Sequence, residues 1–149
     1  MCTKSNIYIT KLIVLLFIVC IFNKKFISFA ANEKDFIYMF VNNNTELEIA
    51  GYNGNSLEVV IPCVINDMKV TSIGNNAFKG CTNITGITIP DSINKIGNYA
   101  FEDCKNLKSI YIPASINSIG SGIFGNCESL SSVIVDSNNT KYDSRNSCN

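Results

Sequence analysis

Three stretches of this chain, SIGNNAFKGCTNITGITIP (72–90), KIGNYAFEDCKNLKSIYIP (95–113) and SIGSGIFGNCESLSSVIVD (118–136), restate one pattern at a spacing of 23 residues. The apolar positions are the ones that recur: Ile73, Ile96 and Ile119; Ala77, Ala100 and Ile123; Phe78, Phe101 and Phe124; Cys81, Cys104 and Cys127; Ile84, Leu107 and Leu130; Ile87, Ile110 and Val133; Ile89, Ile112 and Val135. A fourth, partial copy lies upstream in LEVVIP, where Val59, Ile61 and Pro62 match the last columns, and the stretch that follows, CVINDMKV, is five residues longer than its counterparts. Fixed-period self-similarity of this length marks a solenoid, in which no unit can bury its apolar face alone and each does so against its neighbours. The repeated columns are therefore expected to be core.

Each unit divides by its local pattern. GITIP, SIYIP and SVIVD alternate β-branched apolar residues with exposed ones, which predicts one short parallel strand per coil. Pro90 and Pro113 end two of them, because proline cannot donate to the ladder. SINKI and SINSI form a second extended stretch, with two isoleucines turned inward, and Gly74, Gly97 and Gly120 are expected to lend the backbone freedom of the next corner. In AFxxCxxL the apolar residues fall at offsets 0, 1, 4 and 7, which predicts a short helix or 3-10 turn on the opposite flank. Upstream, FIYMFV (36–41) and ELEIAGY (46–52) flank the asparagine-rich NNNT and read as a hairpin covering the open end of the first coil. The fold class expected is thus α/β, a solenoid with one strand and one short helix or 3-10 turn per coil behind an N-terminal β-hairpin cap.

The first 31 residues differ in kind. Lys4 and Lys11 precede the apolar run LIVLLFIVCIF (12–22), which as a helix reaches only roughly 17 Å against a hydrocarbon core of about 30 Å. Ser28 and Ala30 suit the positions a signal peptidase reads, so residues 1–31 are expected to be a cleaved signal peptide. Lys24 and Lys25 run against the usual charge asymmetry, and the alternative is an uncleaved N-terminal anchor, which is the only membrane contact expected. The organisation expected is 1–31 for export, 32–56 as capping hairpin, 57–136 as solenoid and 137–149 as an incomplete, less ordered repeat.

Composition narrows the chemistry. The chain has 149 residues, 12 basic and 12 acidic side chains and no histidine, which leaves no electrostatic footprint for nucleic acid and removes the commonest general base and metal ligand. No close-spaced cysteine pair suggests a metal site. Cys81, Cys104 and Cys127 share one column, and coils about 4.8 Å apart hold equivalent Cβ atoms about an ångström too far apart for an unstrained disulfide. They read as small buried hydrophobes, with too little thiolate for catalysis. No acid–base pair or activated serine emerges, so no catalytic residue, cofactor or small-molecule substrate is expected. Sequons at Asn43, Asn83 and Asn138 are of the frequency chance gives so asparagine-rich a sequence.

The pattern IPxSIxxIGxxAFxxCxxLxxIxIP closely resembles the bacterial BspA-like leucine-rich repeat, over roughly residues 36–149. The resemblance implies a leucine-rich solenoid on a secreted or cell-surface protein, and family members include proteins that bind host matrix components. On such a scaffold the outward positions of the strand face are the candidates for a protein partner: Tyr111, Thr88, Ile134 and Val60, flanked by Ser109 and Ser132. Tyrosine supplies large contact area at low entropy cost. Four strands present only about 300 Å² in projection, against about 800 Å² per partner in a standard interface, so one array alone is expected to bind weakly.

Overall fold

The computed structural model describes residues 33–144; the expected signal peptide or anchor over 1–31, with Cys2 and Cys20, lies outside the described residues, as does Cys148. Ten strands are present: β1 (Phe36–Val41), β2 (Glu46–Tyr52), β3 (Glu58–Val60), β4 (Val64–Ile65), β5 (Met68–Ile73), β6 (Gly86–Thr88), β7 (Lys95–Ile96), β8 (Ser109–Ile112), β9 (Ser118–Ile119) and β10 (Ser132–Val135). They form two sheets. The repeat strands make a four-stranded parallel sheet in the order β10-β8-β6-β3, and the second extended stretches make a sheet in the order β1-β2-β5-β7-β9, with β4 paired to β5. Every step between coils on these flanks is parallel and in register, for example Val133 beside Ile110 and Ile110 beside Ile87.

The hairpin β1–β2 is antiparallel, and β2 continues into the coils by pairing in parallel with β5. The long stretch after Pro62 is a second hairpin rather than a plain loop. Asn66 and Asp67 both adopt positive φ (50° and 62°) and reverse the chain between β4 and β5, the two-residue geometry that asparagine and aspartate tolerate.

The third flank departs from the helix expected of AFxxCxxL. Only one 3-10 turn is present among the described residues, at Glu33–Asp35 ahead of the first strand, and none lies within a coil. Alternate amides on this flank serve different partners. Those of Asn76, Phe78 and Gly80 donate to the carbonyls of Asn98, Ala100 and Glu102 in the next coil, at 3.0, 2.8 and 2.8 Å. Those of Ala77, Lys79 and Cys81 donate three residues back. The backbone achieves this by switching hand: Asn76, Tyr99 and Gly122 share one positive-φ column, and Gly80, Asp103 and Asn126 another. A helix needs right-handed φ at every residue, so the stripe that resembles one is a stack of turns and the α/β description gives way to an almost wholly β solenoid.

Apolar columns fill the space between the flanks. Phe78 and Phe101 are fully buried, with ring centroids 5.4 Å apart, and Phe124 stacks next at 5.9 Å. Phe36 and Tyr52 of the hairpin continue this spine below Phe78. In the fourth coil the same columns, Ile119, Ile123, Phe124, Cys127, Leu130, Val133 and Val135, are only partly buried. Residues after β10 run back along that coil: Asn139 Nδ2 donates to the carbonyls of Pro113 and Ile116, and the Ile119 amide donates to Tyr142 Oη at 2.9 Å.

The corner glycines differ from expectation in their physical reason. Gly97 and Gly120 do not adopt positive φ; a Cβ at Gly97 would stand 2.6 Å from the Asn75 amide nitrogen, and one at Gly120 2.5 Å from that of Asn98. Their place is fixed by close approach between coils. There Asn75 Oδ1 accepts the Asn98 amide at 2.7 Å and Asn98 Oδ1 accepts the Ser121 amide at 2.8 Å, a polar ladder beside the glycines.

Candidate functional site

The four-stranded sheet turns alternate residues outward. Register places Glu58 beside Gly86, Gly86 beside Ser109 and Ser109 beside Ser132 in one column. The next outward column holds Val60 beside Thr88 and Tyr111 beside Ile134. All six residues singled out in the sequence thus lie on one face. Val60, Tyr111 and Ile134 are 45, 44 and 51% exposed, and Thr88 and Ser109 are exposed, while Ser132 is half-buried.

Tyr111 is fixed rather than free. Its hydroxyl donates to Asp136 Oδ2, and the other carboxylate oxygen, Oδ1, accepts the Asn138 amide at 2.7 Å. The Tyr111 bond, then the Asn138 bond, hold the Asp136 carboxyl below its usual range; the same bond from the other side holds the Tyr111 phenol above its own. Asp136 occupies the column in which the two preceding coils have Pro90 and Pro113, and its amide donates to the Ile112 carbonyl at 2.9 Å, which a proline cannot do.

The centre of the face is a shallow depression of about 220 Å³ whose lining includes Glu58, Gly86, Thr88, Ser109, Tyr111 and Ile134. Thr85 Oγ1 donates to Glu58 Oε1 at 2.8 Å, and the carboxylate lies over Gly86, where a Cβ would come within 2.1 Å of Oε2. The face therefore combines aliphatic and aromatic contact area with carboxylates at two of its margins, Glu58 and Asp136. Neither Asp136 nor Glu58 is among the six outward positions picked out from the sequence. The signal available was the aspartate itself, standing where the repeat has proline.

Of the cysteine column only Cys104 is buried as expected, whereas Cys81 and Cys127 are half-buried. Cys104 Sγ donates to the Phe78 carbonyl and Cys127 Sγ to the Phe101 carbonyl, each at 3.1 Å. Burial pushes the Cys104 thiol up to about 12, and raises Cys81 and Cys127 as well. Cys63 is exposed, and none of the four forms a disulfide among the described residues. At pH 8, peptide-resolved labelling with a thiol reagent is expected to modify Cys63 first and Cys104 only as fast as the fold opens; equal rates would contradict this packing. The Cys104 thiol ionises near 9.0 when unfolded and near 12 when folded, so its contribution to stability is full below the first value and is lost as pH rises towards the second. Among the described residues no group of three or more histidine, cysteine or acidic side chains could hold a metal ion, and no helix is long and apolar enough to cross a membrane.

Residues 52–148 match the family described as BspA type leucine rich repeat region, in six copies. No curated protein matches the chain. Among solved structures, a leucine rich cell surface protein from Faecalibacterium prausnitzii is similar at 26% identity and a TM-score of 0.61, over 71% of this chain and 32% of that one, so the present chain spans about a third of its length. A leucine-rich repeat protein from Bacteroides capillosus is similar at 25% identity and a TM-score of 0.52, over 70% of this chain and 96% of that one. The T. pallidum leucine rich repeat protein shares the fold at 23% identity and a TM-score of 0.50, with 70% of each chain covered.

Proposed function

Because the chain belongs to the BspA-type leucine-rich-repeat family, we propose that it is a non-catalytic surface module that binds another protein through the outer face of its four-stranded sheet. The observation that carries this reading is the in-register outward column of Val60, Thr88, Tyr111 and Ile134, whose large members are about half exposed around a tyrosine held in place by Asp136. A side chain oriented before contact loses less entropy on binding, which is how a small face gains affinity. A place outside the cell is supported by the description of the Faecalibacterium prausnitzii relative as a cell surface protein. The resemblance to matrix-binding repeats favours a host matrix or cell-surface protein as partner.

The purified protein is expected to bind immobilised matrix proteins or cells weakly, and more strongly when clustered on beads. Tyr111→Ala is expected to weaken that binding by about 1–2 kcal/mol, roughly 5- to 30-fold, with the thermal transition unchanged because the side chain lies outside the core. A second reading, a structural surface repeat without a ligand, is favoured by the Tyr111 hydroxyl being already bonded within the chain and by the shallowness of the depression. Absence of binding by the clustered protein decides for it.

A further inference from the structure

Among the described residues the hairpin strand β1 is the outermost strand of its sheet and pairs on one side only, with β2. Its exposure is unlike that of any other strand in the fold. Phe36 is buried, yet the four residues that follow, Ile37, Tyr38, Met39 and Phe40, are 49, 36, 50 and 58% exposed. The pairing explains why both faces are bare. Phe36, Tyr38 and Phe40 lie opposite Tyr52, Ile49 and Leu47, on the side of the core, and Met39 and Val41 lie opposite Glu48 and Glu46, on the outer side. Tyr38 and Phe40 stand at the edge of the sheet, one strand beyond the buried Ile49 and Leu47, and the Tyr38 hydroxyl accepts from Asn66 Nδ2 at 2.9 Å while its ring stays partly exposed.

Exposed edges are ordinarily blunted by charge, proline or a bulge, because a row of free backbone donors and acceptors templates further pairing. FIYMFV has no charge and no proline, and its one irregularity falls between Ile37 and Tyr38, leaving Tyr38–Val41 in regular register. We propose that β1 pairs antiparallel with β1 of a second copy of this chain, joining the two outer sheets across a two-fold axis at Met39.

That register is the one in which the strand complements itself. With the axis at Met39, Tyr38 stands opposite the second copy's Phe40 on one face, and on the other Met39 meets its equivalent while Ile37 stands opposite Val41. Residues directly opposite in an antiparallel pair share a face, so aromatic meets aromatic and aliphatic meets aliphatic with no charge opposed to charge. Two-fold contacts are isologous and close after two copies, which ends the assembly at a dimer. Large side chains of this kind cover about 150–250 Å² each, so the bare parts of the four amount to roughly 400 Å² per copy, about half the ~800 Å² of a standard interface. An interface of that size lies on the weak side of specific contacts, so association is sought at protein concentrations of roughly 10–100 μM.

Sedimentation equilibrium of the full chain across that concentration range is expected to show monomer and dimer, and Met39→Lys is expected to weaken association at least about 10-fold while leaving the melting transition in place. A direct probe is Met39→Cys on a Cys63→Ser background, which is expected to cross-link through residue 39 under mild oxidation. The proposal is overturned if the protein stays monomeric at all concentrations, as it would with the upstream apolar run 12–22 lying on β1. It is also overturned if association needs lipid vesicles, or if Met39→Lys leaves it unchanged and no cross-link forms at residue 39.

Discussion

Phe101→Ala is expected to cost about 3–5 kcal/mol in chemical denaturation, a large part of the ~5–15 kcal/mol that keeps a typical domain folded. Phe101 is fully buried between two stacked rings, Phe78 at 5.4 Å and Phe124 at 5.9 Å. Its removal leaves a void in the middle of the spine that neighbouring coils cannot close, because each is held at fixed spacing by hydrogen bonds on all three flanks. A loss below about 1 kcal/mol would mean that the coils relax into the gap, contrary to close packing. Phe124→Ala offers the comparison: the same ring in the partly buried fourth coil is expected to cost less.

Gly97→Ala is expected to destabilise the protein by about 1–3 kcal/mol, although the usual effect of replacing glycine at an ordinary φ is a small gain from the stiffer unfolded chain. The added methyl carbon would meet backbone at 2.6 Å, on the Asn75 nitrogen and the Gly74 carbonyl carbon, and backbone cannot swing aside as a side chain does. The Asn98 amide bonded to Asn75 Oδ1 lies beside this contact, so widening the gap also strains that bond. Gly80 makes the contrast within one protein. It has positive φ with open space around it, and Asp103 and Asn126 already occupy the same column. Gly80→Asn is therefore expected to be nearly neutral by the same denaturation measurement, and equal losses at the two sites would refute the close-approach account.

Much of the architecture was legible because period two and period 23 are both written in side-chain type: the columns Ile87, Ile110 and Val133, and Ile89, Ile112 and Val135, could be placed inward by alternation alone. The flank holding Ala100, Phe101, Cys104 and Leu107 misled, since offsets of 0, 1, 4 and 7 suit a helix and also suit successive tight turns. What separates the two is the hand of φ at residues such as Tyr99 and Asp103, and tyrosine carries no preference for the left-handed region. The asparagines and glycines of the other coils at these positions were the available hint. Glycine at 97 and 120 does not by itself reveal its reason, because a crowded neighbour and an unusual torsion select the same residue. At the candidate site the outward column followed from alternation, whereas the Tyr111–Asp136 bond did not. It depends on the side-to-side placement of two coils, 25 positions apart in the chain.

The handing on of amides from Asn76, Phe78 and Gly80 to the next coil, repeated by Tyr99, Phe101 and Asp103, has a consequence for how such a gene can change. Each coil offers upward the same donors that it receives from below, so an in-frame duplication of one repeat's codons inserts a unit already matched to both neighbours. Length can grow or shrink by whole repeats without any compensating substitution, whereas gaining or losing a single codon on the turn flank shifts every later donor off its acceptor.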